Sequence, residues 1–320
     1  MILKKGSKGN EVKLIQEFLG IENDGIFGPG TERAVKNWQR ENGLLADGIV
    51  GPATWNVMGI VSTDNTETTQ TTPEGLIIHK DYLPKGEYFT GPVTPEYLFI
   101  HHTAGWNNPY NTIRNWANDS RGKIATEFVI GGQSVKGNDD KYDGEIVQAF
   151  PHGGYGWHLG TGNSYMHRNS VGIEVCNFGY LEEGGYHKWD DVKRKKVWIE
   201  KTPGKFYTYV GVEAAESQIV KLDKEFRGHL YWHKYSDQSL YSLKENILYI
   251  ANRDNINITE GLPKWIREKG ADAFEYSSDA RSGKIRGLLS HTNVRKDKVD
   301  MFPQQELMIC YLVYKRKWGQ

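Results

Sequence analysis

The chain has 320 residues, 25% charged and 38% hydrophobic, which suits two globular domains or one large one with an appendage. Forty basic residues balance forty acidic ones and no basic stripe with interleaved aromatics occurs, which argues against nucleic acid as a partner. No run approaches about 20 apolar residues, so no membrane span is expected; Cys176 and Cys310 are too few and too far apart for a disulfide framework or a metal-type spacing.

Met1 to Gly6 lacks a long apolar run, so no secretory signal is expected. Val12, Ile15 and Leu19 then mark an amphipathic helix that Gly20 stops. Asp24-Gly25-Ile26-Phe27-Gly28-Pro29 recurs as Asp47-Gly48-Ile49-Val50-Gly51-Pro52. Asp-Gly and Gly-Pro pairs make tight turns. Thr31 and Thr54 follow the two copies and are predicted to cap helices that carry Ala34, Val35 and Trp38, and Trp55 and Met58. The expectation is a small all-α module of three helices over residues 1–59. Residues 62–72 have almost no apolar content and read as a flexible tether within a Thr-rich linker, 60–75.

Beyond it, strand-like runs recur at Tyr97 to His101, Glu127 to Ile130, Glu145 to Phe150, Ser170 to Val175 and Ile285 to Leu289. Helices are expected near Tyr110 to Asn118, Leu240 to Arg253 and Gln304 to Lys317. Such alternation predicts an α/β domain over 76–320, a mixed central sheet flanked by helices. Residues 180–235, dense in Lys, Glu, Tyr and Trp, read as an insertion, a solvated elaboration in preference to a lid. Lys315-Arg316-Lys317 suits the negative end of the last helix. The 10 Trp, 18 Tyr and 11 Phe mostly fill cores, and some are expected to line a groove for an extended sugar or peptide ligand.

Chemistry concentrates at three places. His101 follows one apolar run, His291 follows another, and Asp300 comes nine residues later with Lys298 two positions before it. Two neutral imidazoles and a carboxylate form the donor set of a catalytic zinc with its fourth position open. His101 and His102 adjoin on a strand and point to opposite faces, so one of them can serve a metal; position alone does not choose. His229 and His233, four apart, would share a helical face, but the Glu of the metalloprotease motif is missing, and they read as surface or packing residues. Cys176, two after Glu174, reads as core.

Gly6, Gly9, Val12, Ile15-Gln16, the two Asp-Gly-Ile-x-Gly turns, Trp38-Gln39, Gly43-Leu44 and Thr54-Trp55 together resemble the three-helix peptidoglycan-binding module of bacterial and phage wall hydrolases. That resemblance implies retention on the wall, with contacts from Asp24, Gly25, Asp47, Gly48, Trp38 and Trp55.

Residues 76–315 carry, in order, Ile100-His101-His102-Thr103-Ala104-Gly105, Gly156-Trp157-His158-Leu159-Gly160, Asn169-Ser170-Val171-Gly172-Ile173-Glu174, Ser290-His291 and Lys298-x-Asp300. The set resembles the zinc-dependent N-acetylmuramoyl-L-alanine amidases of type 2, which include peptidoglycan recognition proteins. The resemblance implies one Zn2+ per chain held by His101, His291 and Asp300. It implies that Lys298 stabilises the tetrahedral intermediate and Glu174 shuttles the proton. Trp157, His158, His102 and Thr103 would border the substrate groove. Thr126-Glu127 stand where many members have Tyr-His or Ala-His, so no Tyr acts from that position, and Glu127 reads as a strand-edge charge.

The resulting expectation is a monomeric, endolysin-like, bacteriolytic enzyme of phage type, made in the host cytoplasm and acting on the cell wall. Its partner would be bacterial peptidoglycan, cut between the lactyl group of N-acetylmuramic acid and the stem peptide's L-Ala. Two rivals stand beside it: a non-catalytic peptidoglycan-recognition protein, which predicts a broken ligand set, and a zinc endopeptidase cutting within the stem peptide.

Overall fold

The computed structural model describes residues 3–42, 44, 46–58, 68–72, 75–135 and 140–312. Gly43, most of the Thr-rich linker and the Lys315-Arg316-Lys317 tail lie outside them. Helices α1 (Asn10–Phe18), α2 (Pro29–Glu41) and α3 (Pro52–Met58) close over Val12, Ile15, Phe27, Val35, Val50 and Trp55, as the apolar spacing predicts.

The internal repeat is a hydrogen-bonded device. Buried Gln16 donates from Nε2 to Asp24 Oδ1 (2.7 Å), Ile26 O (3.1 Å) and Thr31 Oγ1 (3.1 Å), while its Oε1 accepts from Gly25 N (2.8 Å). Gln39 repeats this with Asp47 (3.0 Å), Ile49 O (2.9 Å), Thr54 (3.0 Å) and Gly48 N (2.9 Å). Each buried amide is thereby satisfied, and the positive φ at Gly25 (73°) and Gly48 (77°) lets the backbone face it.

One expectation changes here. Thr31 and Thr54 are not N-caps: α2 starts at Pro29 and α3 at Pro52, and the Thr hydroxyls sit inside the first turns. Asp24 and Asp47 each commit Oδ1 to their own turn, accepting from Ile26 N and Ile49 N at 2.8 Å. Trp55 is buried, Gly25 and Gly48 are buried, and Trp38 lies edge-on to Phe18 with part of its ring open to solvent. Of the six residues expected to touch the wall, Asp24 and Asp47 are exposed and Trp38 is half-buried.

The larger domain is built on seven strands: β1 (Thr68–Thr71), β2 (Ile77–Lys80), β4 (Tyr97–His102), β5 (Phe128–Ile130), β6 (Ile146–Gln148), β8 (Ser170–Val175) and β15 (Gly287–Ser290), ordered β1-β2-β6-β5-β8-β4-β15. Part of the expected tether is thus strand: Thr68–Thr71 pairs antiparallel with β2, using the β-favouring side chain of Thr. The central strands β15, β4, β8 and β5 run parallel, and all six residues of β4 are buried. This fits a strand covered on both faces.

One face of the sheet packs Leu98, Ile100, Phe128 and Ile173 beneath α6 (Asp237–Asp254), α7 (Leu262–Lys269) and α10 (Gln305–Leu312). The other packs Tyr97, Phe99 and Leu289 against Leu159, Met166, Ala280 and Val294, from the segment holding α5 (Ser164–Arg168), α8 (Ser278–Arg281) and α9 (His291–Val294). Helix α4 (Pro109–Trp116) covers β5 and β6, and a two-stranded ribbon, β3 (Phe89–Thr90) with β7 (Gly154–Tyr155), lies apart from the sheet.

Glu127 differs from its sequence reading. It is buried, and Arg253 of α6 pairs with both its carboxylate oxygens at 2.6 and 2.9 Å while Gln148 donates at 2.8 Å. It is a structural clamp between sheet and helix.

The insertion forms three ribbons: β9 (Glu182–Glu183) with β12 (Phe206–Tyr207), β10 (Gly185–Asp190) with β11 (Lys195–Glu200), and β13 (Ile219–Phe226) with β14 (His229–His233). The β10–β11 hairpin is solvated, as expected. The β13–β14 ribbon is not, since Leu222, Phe226 and Trp232 join the main core. His229 and His233 therefore lie on a strand and not on a helix; His233 is buried behind Phe178, and His229 stacks on Tyr180 at 3.7 Å. Among the described residues no helix is long and apolar enough to cross a membrane.

Candidate active site

The parallel strands of the sheet end together, and side chains that follow their carboxyl ends converge there. His101, near the end of β4, stands in register with Glu174 on β8. His291 begins α9 immediately after β15, whose Ser290 caps it. Asp300 returns to this point because its carbonyl accepts from Thr292 N at 3.1 Å.

The three groups expected to bind metal are together and buried, with one donor atom from each within 4.8 Å of the others. His291 Nδ1 lies 2.8 Å and His101 Nδ1 3.3 Å from the same atom, Asp300 Oδ2.

Hydrogen bonds on the far sides of the rings fix their tautomers. His291 Nε2 lies 3.0 Å from Leu159 O, a pure acceptor, so Nε2 carries the proton and Nδ1 is bare. The other ring is set by a longer relay. Ser170 Oγ donates to His167 O (3.3 Å) and so accepts from His158 Nε2 (2.8 Å); His158 Nδ1 then accepts from His101 Nε2 (3.0 Å). His101 Nδ1 is bare as well. Two imidazole lone pairs and a carboxylate facing one another across about 3 Å need a shared cation, so the donor set fits a divalent metal with nitrogen and oxygen ligands.

Burial and neighbouring groups shift the titration of the cluster. Burial, reinforced by His291, lowers the pKa of His101 to about 4 despite Asp300, so the ring is neutral and ready to ligate. Burial opposes ionisation of Asp300, but His291 and His101 outweigh it and hold its carboxyl well below the usual range. Burial pulls His158 down too, keeping it the neutral link the relay requires.

His158 lines the cavity, as expected of a groove residue, and also supports His101. Gly172 makes the space: a Cβ there would come within 2.6 Å of Thr126 Cγ2 and 3.0 Å of His158 Nδ1. His158→Ala should weaken metal affinity about 10- to 100-fold, measured by competition with a chromogenic chelator; unchanged affinity would mean that the relay does not orient His101. Trp157 stands behind this segment, edge-on to His167 (4.6 Å) and Phe89 (5.3 Å), and is absent from the cavity wall.

The cavity holds about 420 Å³, and its lining includes His102, Thr103, His158, Glu174, His291 and Lys298 together with Trp116, Arg121 and Thr126. His102 points from the opposite face of β4, bonds Tyr235 Oη at 2.7 Å and packs on Phe302, so it is a wall and not a ligand. Lys298 makes no ion pair within 4 Å among the described residues, which removes the plain salt bridge to Asp300 as its role. Glu174 Oε2 is buried with no hydrogen-bond partner among the described residues, and burial, with Asp300 adding to it and Lys298 opposing, raises its pKa well above the usual range. Cys176 is core, its thiol pushed up to about 12 by burial.

Comparison with known proteins now bears on this geometry. The family profile of N-acetylmuramoyl-L-alanine amidase matches residues 91–266, more than half of the sequence. The chain belongs to the N-acetylmuramoyl-L-alanine amidase family. A peptidoglycan-binding domain profile matches residues 8–58. In this chain, the second and third members of the buried cluster, His291 and Asp300, lie beyond the matched segment, and the fold brings them to His101.

The amidase CwlL of Bacillus licheniformis is 33% identical over 100 residues, 27% of this chain and 28% of that protein. A zinc D-Ala-D-Ala carboxypeptidase of Streptomyces albus G is 42% identical over 62 residues, 17% of this chain and 24% of that one. The chain thus spans about a quarter of the length of these relatives. The solved catalytic domain of XlyA is 16% identical, with 68% of this chain and 86% of that one covered at a TM-score of 0.34.

Proposed function

We propose that this chain is a zinc-dependent peptidoglycan amidase that hydrolyses the bond between the lactyl group of N-acetylmuramic acid and the L-Ala of the stem peptide, held on the wall by its N-terminal module. The observation that carries this reading is the buried His101–His291–Asp300 cluster, its bare donor atoms aimed at one point beside a cavity that also holds Glu174 and Lys298. A non-catalytic recognition protein predicts a broken donor set, and this one is whole.

His101, His291 and Asp300 would hold the ion, which when bound lowers the pKa of its water to ~7 and polarises a carbonyl. The chain's own groups do the rest. Glu174 accepts the proton of the attacking water and passes it to the leaving nitrogen of L-Ala. The free ammonium of Lys298 donates to the oxygen that gains charge as the carbonyl carbon becomes tetrahedral. Thr103, Trp116 and Arg121 shape the cavity around the muramoyl-peptide.

The test is release of N-terminal Ala amino groups from purified peptidoglycan. Release that stops on chelation and returns with added Zn2+ supports the reading; release that persists in the metal-free protein contradicts it. Lys298→Ala should lower turnover about 100- to 1,000-fold with metal content unchanged by elemental analysis. An unchanged rate would leave Lys298 without a catalytic role. Action as a bacteriolytic phage-type endolysin, with the chain reaching the wall from the cytoplasm of a host and working as a monomer, belongs to the same proposal.

A further inference from the structure

A second concave surface lies in the insertion, outside the catalytic cavity. It holds about 570 Å³ and is walled by Tyr180, Tyr186, Trp189 and Tyr209, with Lys188, Lys196 and Asp191 among its polar lining. Its three tyrosines are held in place. Tyr186 packs against Gly211, where a Cβ would come within 2.6 Å of the ring. Tyr180 is stacked on His229. Tyr209 donates from its hydroxyl to Ala104 O at 2.7 Å. Even so, Trp189 is 55% and Tyr209 39% exposed. Lys188, Lys196 and Asp191 make no ion pair within 4 Å among the described residues, so their donors and acceptors are uncommitted.

The position matters as much as the lining. Ala104, which holds Tyr209, also lines the catalytic cavity three residues after His101, so one hydrogen bond joins the walls of the two concavities. A ligand that enters the first by its reacting end can extend into the second.

From this we infer that the insertion is an extended-substrate subsite that stacks sugar rings of the glycan strand on Trp189 and its neighbouring tyrosines; the inference rests on the amidase reading. A pyranose presents an apolar C–H face to a ring and a rim of hydroxyl and N-acetyl groups to side-chain donors and acceptors. The groove offers both. A purely apolar occupant would strip water from Lys188, Lys196 and Asp191 without replacing its hydrogen bonds.

The test uses the full chain and a peptide-free tetrasaccharide of N-acetylglucosamine, which contains no scissile amide. N-bromosuccinimide oxidation, mapped by mass spectrometry, should show Trp189 protected several-fold at saturating tetrasaccharide. In calorimetry, Trp189→Ala should weaken the affinity about tenfold, in the range expected for loss of one stacked ring, and Trp189→Phe should restore most of it. Trp189 oxidised at the same rate with and without sugar, or an Ala variant that binds like the parent, would overturn the subsite. Because the ligand has no amide, that failure leaves the amidase reading intact; protection of Trp189 in a chain that releases no N-terminal Ala would overturn the amidase reading alone.

Discussion

His291→Ala should abolish metal retention and lower the rate of wall hydrolysis by about a thousandfold or more, because the several kcal/mol that the ion contributes to the transition state are lost together with it. The structure explains why no neighbour can substitute. His291 and His101 both aim Nδ1 at Asp300 Oδ2, and the nearest other imidazole, His158, already has both nitrogens engaged, one by His101 and one by Ser170. His102 points to the other face of β4 and is tied to Tyr235. The variant should remain folded, since Ser290 and Asn293 close the turn at His291 by their own hydrogen bonds. Elemental analysis with circular dichroism checks both halves. A folded variant that keeps stoichiometric metal and normal turnover would remove this cluster from the reaction.

Glu174→Gln should lower turnover by about 100- to 10,000-fold while metal content stays at the wild-type level. Glu174 stands beside His101 in register on the adjacent strand, faces the cavity, and keeps one carboxylate oxygen without any hydrogen-bond partner among the described residues. Gln is close to isosteric, so packing is retained and only the capacity to carry a proton is lost. Among the described residues no tyrosine lines the cavity: Thr126 stands there, and Glu127 is clamped by Arg253. The diagnostic is the contrast between the two variants: loss of rate with loss of metal at His291, loss of rate without loss of metal at Glu174. A Gln variant that turns over at the parent rate would assign the proton transfer elsewhere.

Much of this site was legible because its ligands close apolar strands. The runs ending at His101 and near His291 announce buried parallel strands, and buried strands in register deliver their end residues to one place. The role of His158 was harder to read. Trp157-His158 looks like a groove motif in one dimension, and only the absence of a side chain at Gly172, on a different strand, shows where the imidazole goes.

In the N-terminal module the repeated turns were evident, yet their purpose lay eight residues upstream of each Asp. Gln16 and Gln39 carry the amides that hold the turns closed. Thr31 and Thr54 were misplaced as caps because Pro29 and Pro52 are the stronger helix starts and the hydroxyls were claimed by those amides. The edge strand Thr68–Thr71 was invisible to an argument from apolar content, since an edge pairs through its backbone and needs little burial. The insertion hid its two halves for a related reason: its aromatic residues serve the core at Trp232 and a solvent-facing groove at Trp189, and composition does not distinguish them.

The central claim is which bond this cluster breaks, and the masses of the products decide it. Purified peptidoglycan digested by the full chain should yield glycan strands with intact lactyl groups and free stem peptides that begin with L-Ala, with no new ends inside the peptides. Peptides cut within the stem and still attached to muramic acid would contradict the account and assign the site to an endopeptidase.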